Sequence, residues 1–181
     1  SGLFAFAEDE GAFVSVLAHE LGHLSQRHYA RGSARAAQTQ LPAMAAMLAG
    51  MLIAASGAGD AGMAAAMGSQ AALIQDQLSY SRLFEQEADN IGLQAMADAG
   101  YDPEAMVRMF AAMQRMARLQ GDTPPEFLLT HPVTDSRLTA AQDRAAQLNV
   151  ADAYTSDTLY DMMRARALLS IYANSPQQAA S

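Results

Sequence analysis

The stretch HELGH, residues 19 to 23, decides how this sequence folds and lies within an apolar, helix-forming segment near the start of the chain. Acidic residues 8 to 10 precede it, and negative charge favours the first turn of a helix, where the helix dipole is positive. The pattern therefore predicts a helix that begins at these acidic residues and runs to about Arg31. In such a helix His19 and His23, four residues apart, project from the same face.

The apolar residues of this helix predict how it packs. Large apolar side chains recur at helical spacing and predict one packed face, made of Val14, Leu17, Leu21 and Leu24. The two histidines lie on roughly the opposite side together with Val16, so we expect that side to be covered as well.

His19 and His23 form a pattern that can bind a metal ion. Two neutral imidazoles four residues apart on a helix can bind one Zn²⁺. Glu20, which lies between them, can reach a water molecule on the metal, take its proton and pass that proton to the leaving amine. The alternative is a helix that happens to hold two histidines.

A second segment, SRLFEQEAD at residues 81 to 89, offers the third ligand that catalytic zinc needs. Glu85 is the best candidate, and Asp89, four residues later, shares its helix face. The Asp89 carboxylate can accept the free N–H of a ligand histidine, which we predict to be His19. The alternative for both residues is a solvated acidic face. Glu87 points away from Glu85 and is predicted to be structural or exposed.

The composition favours a mainly α-helical, compact domain with little or no β structure. Apolar residues make up 51% of the 181 residues, helix formers are abundant, and no long run alternates with the period of a strand. The net charge is −8 and the arginines form no basic stripe, which argues against nucleic-acid binding. Cysteine is absent, which excludes a disulfide framework and a thiolate metal site.

Residues 36–75 form an Ala- and Met-rich segment that we predict to be a helical hairpin turning at residues 56–60. Its continuously apolar part, residues 43–55, is shorter than the roughly 20 residues that a spanning helix needs. We therefore predict a buried hairpin and no transmembrane span. The alternative is an adaptable, Met-lined surface over residues 41–73 that contacts a partner or the membrane peripherally.

Capping signals predict where the later helices begin and end. Gly100 is predicted to end a long helix, Asp102 to cap the next, and Thr134 or the following residue to cap the one after. The whole forms one predicted domain, residues 1–175, followed by a loose polar tail, residues 176–181.

Three ordered motifs resemble those of one family. HELGH at residues 19–23, SRxxExEADxxG at residues 81–92 and THPVTDSR at residues 130–137 are similar to motifs of the Ste24/HtpX-type gluzincin zinc metallopeptidases. The resemblance covers roughly residues 1–148 and is strongest to the soluble periplasmic branch, the beta-barrel assembly-enhancing proteases.

This resemblance implies a zinc-dependent endopeptidase of the periplasm that acts on unfolded or misassembled outer-membrane proteins, together with the outer-membrane assembly machinery. One Zn²⁺ per chain would be bound by His19, His23 and Glu85. That branch carries a β-hairpin before the first motif and helical repeats after the last. This sequence contains neither, nor a visible export signal, so we expect a catalytic-domain fragment.

The third motif contains His131 and Arg137, and the resemblance offers two roles for His131. It can be a fourth zinc ligand that closes the site, or a donor to the developing oxyanion. Arg137 can support either role by charge-assisted hydrogen bonding. The alternative for His131 is a loop histidine before Pro132. His28 is predicted to be a polar residue near the end of the first helix, without a motif partner.

Two other functions compete with the enzyme. The apolar stretch over residues 41–73 would suit a chaperone or assembly factor that holds outer-membrane protein precursors. An inactive relative that binds zinc only structurally would use four protein ligands.

Overall fold

The computed structural model describes residues 3–120, 129–148, 150–155 and 158–173, and within these ranges the chain is mainly helical. The helices are α1 Leu3–Phe6, α2 Glu10–Ser25, α3 His28–Ala55, α4 Gly59–Asp98, α5 Glu104–Gln120, α6 Asp135–Ala145 and α7 Thr158–Ala173. No strand occurs in these ranges, and one isolated bridge joins Tyr101 to Tyr154. The predicted mainly α fold class is confirmed. The predicted tail, residues 176–181, lies outside the described residues.

The chain divides into two compact units. The first consists of Ser1–Gly22 and Ala88–Ser181, and the second is His23–Glu87. The first unit therefore contains most of α2, the end of α4 and all later helices. The second contains α3 and most of α4.

The packed face of α2 in the first unit differs from the predicted one. Of the predicted face, Val14 packs against the core. Leu17 and Leu21 are 45% and 59% exposed and Leu24, in the second unit, is 73% exposed, so the prediction is wrong for these three leucines. The buried side is the one that carries His19, and its other members are small or short: Ala12, Ser15, Val16, Ala18 and Gly22. Small residues let another helix approach closely, so side-chain size and not hydrophobic periodicity determines which face packs.

The close approach is between α2 and α4. A Cβ at Gly22 would lie 2.7 Å from the carbonyl oxygen of Ala88, and one at Gly92 would lie 3.1 Å from the backbone nitrogen of His19. The two backbones are thus almost in contact at two points, which fixes the height and rotation of α2 against α4.

The remaining helices of this unit complete its core. Large buried side chains come mainly from α4 and α5 and include Leu93, Met96, Met106, Met109 and Phe110. Tyr160 of α7 is also buried and donates a hydrogen bond of 2.8 Å to the carbonyl of Ala7.

The predicted helix boundaries in this unit are mostly correct. Gly100 follows α4 with φ 80°, a left-handed conformation that costs glycine little. Asp102 accepts a hydrogen bond from the backbone N–H of Glu104 at 3.0 Å, and Thr134 accepts one from the N–H of Arg137 at 3.3 Å. These local signals are confirmed because each depends on neighbours in sequence.

The second unit begins with a break that the sequence analysis missed. The first helix was predicted to reach Arg31, but α2 ends at Ser25 and α3 begins at His28. Arg27, between them, has the left-handed angles φ 53° and ψ 41°, which interrupt the helix.

A helical hairpin formed by α3 and α4 makes up most of this unit, and the predicted turn is confirmed. Three residues separate the helices, and Gly57 has φ 106°. The helices meet through glycine and alanine: a Cβ at Gly50 would lie 2.7 Å from the nitrogen of Ala66, and Gly62 is in similarly close contact with Ala54.

The hairpin was predicted to be buried, and this prediction is wrong. Among the residues of α3, His28 and Gly50 alone are buried. Because the small residues form the contact between the helices, the large ones point outward. Exposed hairpin side chains include Leu41, Met44, Leu48, Met51, Leu52, Ile53, Met63 and Met67.

The helix α3 is also longer than the apolar run from which no membrane span was predicted. Its 28 residues make it, by length and composition only, a helix that could cross a membrane. This is weak evidence by itself, because core helices and signal sequences meet the same criterion.

Candidate metal centre

The helix α2 carries both motif histidines, one helical turn apart, on either side of the boundary between the two units. The contacts of each histidine are therefore described within its own unit. His19 belongs to the first unit and is 4% exposed. His23 belongs to the second and its side chain is 18% exposed.

In the first unit His19 lies against Asp89, the partner that the sequence analysis selected. The Nδ1 of His19 is 2.9 Å from Oδ1 of Asp89, and both residues are buried. A carboxylate can only accept, so this nitrogen carries the proton and Nε2 keeps its lone pair. That is the tautomer a metal ligand needs, although the role of Asp89 stays a prediction.

Arg137 holds the Asp89 carboxylate in place. Its Nε and Nη2 each donate a hydrogen bond of 2.7 Å to Asp89, one to each oxygen. Its Nη1 donates to the carbonyl oxygen of Pro132 at 2.9 Å, and the guanidinium lies 5.0 Å from the ring centre of Phe110. Arg137 thus connects the carboxylate behind His19 to the backbone beside His131.

His131 and Glu20 lie on the other side of the His19 ring. Nδ1 of His131 is 3.3 Å from Nε2 of His19, with the rings edge to face. Nε2 of His131 is 3.6 Å from Oε1 of Glu20, whose side chain is 45% exposed. Residues 121–125, whose glycine and two prolines predict a loop before His131, lie outside the described residues.

In the second unit His23 lies against Glu85. Nε2 of His23 is 3.3 Å from Oε1 of Glu85, and Glu85 is 5% exposed. A carboxylate buried this deeply is costly unless a proton donor or a cation faces it.

The two 3.3 Å separations test whether these side chains fit a metal ion. Ligands at about 2.0–2.1 Å from a tetrahedral zinc lie about 3.3–3.4 Å from each other, which is the edge of the tetrahedron. The pair His19–His131 and the pair His23–Glu85 each have that separation. Imidazole nitrogens with a carboxylate oxygen are also the donor types that zinc prefers when cysteine is absent. The residues fit the ion.

His28 contacts His23, whereas the sequence had indicated no partner for it. It is 4% exposed, and its Nδ1 is 2.8 Å from Nδ1 of His23. Its Nε2 is 2.9 Å from Oε2 of Glu87, and Arg31 donates a hydrogen bond of 2.6 Å to the same oxygen. The segment SRLFEQEAD contains one feature that could have indicated a partner for His28: a second acidic residue, Glu87, two positions after Glu85.

Burial and pairing lower the pKa values of two groups in this network, His28 and Glu87. Burial lowers the pKa of His28, against the raising effect of its hydrogen bond with Glu87. The hydrogen bond from Arg31 lowers the pKa of the Glu87 carboxyl. Glu87, predicted to be structural or exposed, is half-buried and paired.

Comparison with known proteins identifies the family of the chain. The model of Peptidase family M48 matches residues 1–145, and the chain belongs to that family. The family resemblance predicted from the three motifs is confirmed. Membership implies a catalytic metal, and the chain carries histidine and glutamate side chains able to hold one.

Two bacterial proteins and one plant protein illustrate the relationship. The chain is 38% identical to the Beta-barrel assembly-enhancing protease of Escherichia coli K12 over 168 residues, 93% of this chain and 34% of that protein. A Vibrio cholerae protein provisionally given the same name is 42% identical over 147 residues, 81% and 30% of the two chains. Mitochondrial metalloendopeptidase OMA1 of Arabidopsis thaliana is 29% identical over 135 residues, 73% and 24%. The chain thus spans about a third of the length of its bacterial relatives.

Proposed function

We propose that the chain is the catalytic part of a zinc-dependent endopeptidase that cleaves unfolded polypeptides. One observation carries the proposal. Two pairs of candidate ligands, His19–His131 and His23–Glu85, each have the separation of neighbouring ligands on a tetrahedral zinc. Membership of a peptidase family supports the same reading.

One zinc ion is bound by His19, His23 and Glu85 in this proposal. Each offers one donor atom, and so does His131. The i, i+4 spacing on the continuous helix α2 directs the two histidines to the same side. Asp89 and Arg137 orient His19 and maintain its tautomer.

The chemistry divides between the ion and the side chains. When bound, zinc acts as a Lewis acid that polarises the peptide carbonyl and lowers the pKa of water. Glu20 is the general base: its half-exposed carboxylate receives the proton of the attacking water and delivers it to the leaving amine. The buried Asp89–Arg137 pair keeps His19 from turning during this exchange.

His131 restrains the resting domain. Its Nδ1 is 3.3 Å from Nε2 of His19, a separation that supports a role as fourth ligand, and its Nε2 faces Glu20. If His131 bound the ion, it would take the coordination position that a water nucleophile needs, and it also lies beside Glu20, the proposed base. We therefore propose self-inhibition by His131, with Arg137 supporting its loop through the Pro132 carbonyl. A donor to the oxyanion is the alternative role.

Outer-membrane proteins in the periplasm are the substrates we propose, with zinc-dependent cleavage serving their assembly or quality control. The names of the bacterial relatives support this choice, since they describe proteases that enhance beta-barrel assembly. The exposed apolar hairpin residues, within 41–73, supply a surface for unfolded chains or for peripheral contact with the membrane.

Metal analysis and a cleavage assay with one variant test the enzyme. Elemental analysis is expected to find one zinc per chain, and a chelator should abolish cleavage of an unfolded protein such as casein. Glu20→Gln should keep its zinc and lose about 10²–10⁴-fold in turnover, because it removes the base and no ligand. Glu8→Gln, at an exposed acidic residue just before α2, is the matched control. Absence of zinc, or undiminished turnover in Glu20→Gln, would contradict the proposal.

A holding function without cleavage is the second candidate, favoured by the exposed hairpin. The Glu20→Gln variant separates the two functions. If holding is the main activity, this variant should still keep an unfolded outer-membrane protein from aggregating, and the wild type should leave that protein intact.

A further inference from the structure

A series of hydrogen-bonded side chains begins at His23 and ends at Arg31. The Nδ1 of His23 lies 2.8 Å from Nδ1 of His28, whose Nε2 lies 2.9 Å from Oε2 of Glu87. Arg31 donates to both oxygens of Glu87, at 2.6 Å and 3.4 Å. All four residues belong to the second unit.

Assigning a proton to each hydrogen bond in this series determines the tautomers of His28 and His23. The Glu87 carboxylate only accepts, so Nε2 of His28 donates to it. A neutral imidazole has one donor and one acceptor, so Nδ1 of His28 accepts, and the proton between the rings belongs to Nδ1 of His23. In a neutral His23 this leaves the lone pair on Nε2, the nitrogen that faces Glu85, so the two acceptor atoms need a cation between them.

The break between α2 and α3 is what makes the contact possible. In an uninterrupted helix two residues five apart are rotated by about 140° from each other and do not meet. Because Arg27 is left-handed, α3 starts in a new direction with His28 as its first residue. That conformation is strained for a residue other than glycine, so the surrounding contacts must hold it.

The His28 ring cannot turn freely. It stacks on Phe84 with ring centres 4.3 Å apart and planes 13° apart, and Phe84 is itself 9% exposed. The guanidinium of Arg31 lies 4.9 Å from the centre of the same Phe84 ring. Stacking fixes the ring plane, while Glu87 fixes which nitrogen points toward His23.

We propose that His28, held by Glu87, is a positioning residue that sets the tautomer and orientation of His23 for metal binding. This inference rests on the proposed zinc site. His28 binds no metal and touches no substrate in this arrangement. Loss of such a supporting partner typically weakens metal affinity 10- to 100-fold.

Zinc affinity, measured by competition with a chromogenic chelator, tests the proposal without any activity assay. His28→Leu should raise the zinc Kd by about 10- to 100-fold. His28→Asn should recover most of the affinity, because its side-chain oxygen can accept the N–H of His23. Asp76→Asn is the matched control: it breaks a carboxylate–arginine pair with Arg35 in the same unit, and the Kd should not change.

Two further measurements separate positioning from simple stability. The melting temperature of the zinc-free protein shows whether each variant folds. His28→Leu and His28→Asn should have similar melting temperatures but clearly different zinc Kd values. Nitrogen NMR of the zinc-loaded wild type should find the proton of His23 on Nδ1, a result that needs no variant.

The outcomes distinguish this inference from the proposed function. Wild-type protein that binds no zinc would contradict the proposed function itself. Zinc bound with wild-type affinity by a folded His28→Leu variant, or a His23 proton on Nε2, would overturn the positioning role alone.

Discussion

At the scale of single residues, the two motif histidines are supported in parallel ways. His19 donates to Asp89, which Arg137 holds. The Nδ1 of His23 reaches Glu87 through His28. In each case the hydrogen bonds lead to a carboxylate that accepts from an arginine, and this charge-assisted pairing fixes the position of the carboxylate as an acceptor.

Asp89→Ala should weaken zinc binding by about 10- to 100-fold, because His19 loses the acceptor that fixes its tautomer. The buried Arg137 also loses its partner, so the zinc-free protein should unfold more easily. Chelator competition and thermal unfolding measure the two effects. Asp135→Ala, at a carboxylate whose side chain is 90% exposed, is the control. A zinc affinity equal to that of wild type would remove Asp89 from this role.

His131→Ala should raise proteolysis, because it empties the place beside His19 and releases Glu20 from its neighbour. The rate of peptide cleavage at saturating zinc is the measurement. The opposite result, a loss of the order of 10²–10³, would identify His131 as an oxyanion donor and refute self-inhibition.

At the scale of elements, sequence patterns predicted local features well and long-range ones poorly. The caps at Asp102 and Thr134 and the glycine after α4 were predictable, because each involves residues within a few positions of one another. The packed face of α2 was not, because Leu17 and Leu21 gave a stronger hydrophobic pattern than the small residues that pack.

The same contrast explains what was foreseen of the candidate site. Asp89 was assigned to His19 because its spacing from Glu85 placed both on one helix face. His28 was passed over because the break at Arg27, which directs His28 toward His23, leaves no clear mark in the sequence. A buried hairpin was expected from composition alone, which cannot tell which side of an apolar helix faces a neighbour.

The close approach of α2 and α4 predicts an asymmetric effect of two glycine substitutions. Gly22→Ala should destabilise the protein by about 1–3 kcal/mol, because its Cβ would lie 2.7 Å from the backbone oxygen of Ala88. Gly68→Ala, on the same α4, meets nothing within 4 Å and should stabilise it by about 0.5–1 kcal/mol. Denaturant unfolding of both variants measures the difference. Equal stabilities would mean that the two helices are less tightly packed.

At the scale of the whole molecule, a net charge of −8 coexists with an exposed apolar hairpin. Negative charge disfavours approach to anionic lipid, whereas exposed leucine and methionine favour an uncharged apolar surface. The proposed membrane contact should therefore depend on apolar side chains and not on attraction between charges.

The protein should float with vesicles of uncharged phosphatidylcholine, and the double variant Leu48→Gln, Leu52→Gln should bind them roughly tenfold to a hundredfold more weakly. Both side chains are exposed, at 55% and 72%, so the fold should be unaffected. Leu119→Gln, at a leucine of α5 that is 86% exposed, is the control. Unchanged flotation of the double variant would exclude this surface.

The glycine–alanine contacts between α3 and α4 have a consequence for the medium in which the hairpin can exist. Gly50 against Ala66 and Gly62 against Ala54 bring two backbones together with little apolar side chain to remove from water. Cohesion of this kind comes from shape and dispersion, which are equally available in water and in hydrocarbon. We therefore expect the two helices of the hairpin to stay packed against each other in water and in an apolar medium alike.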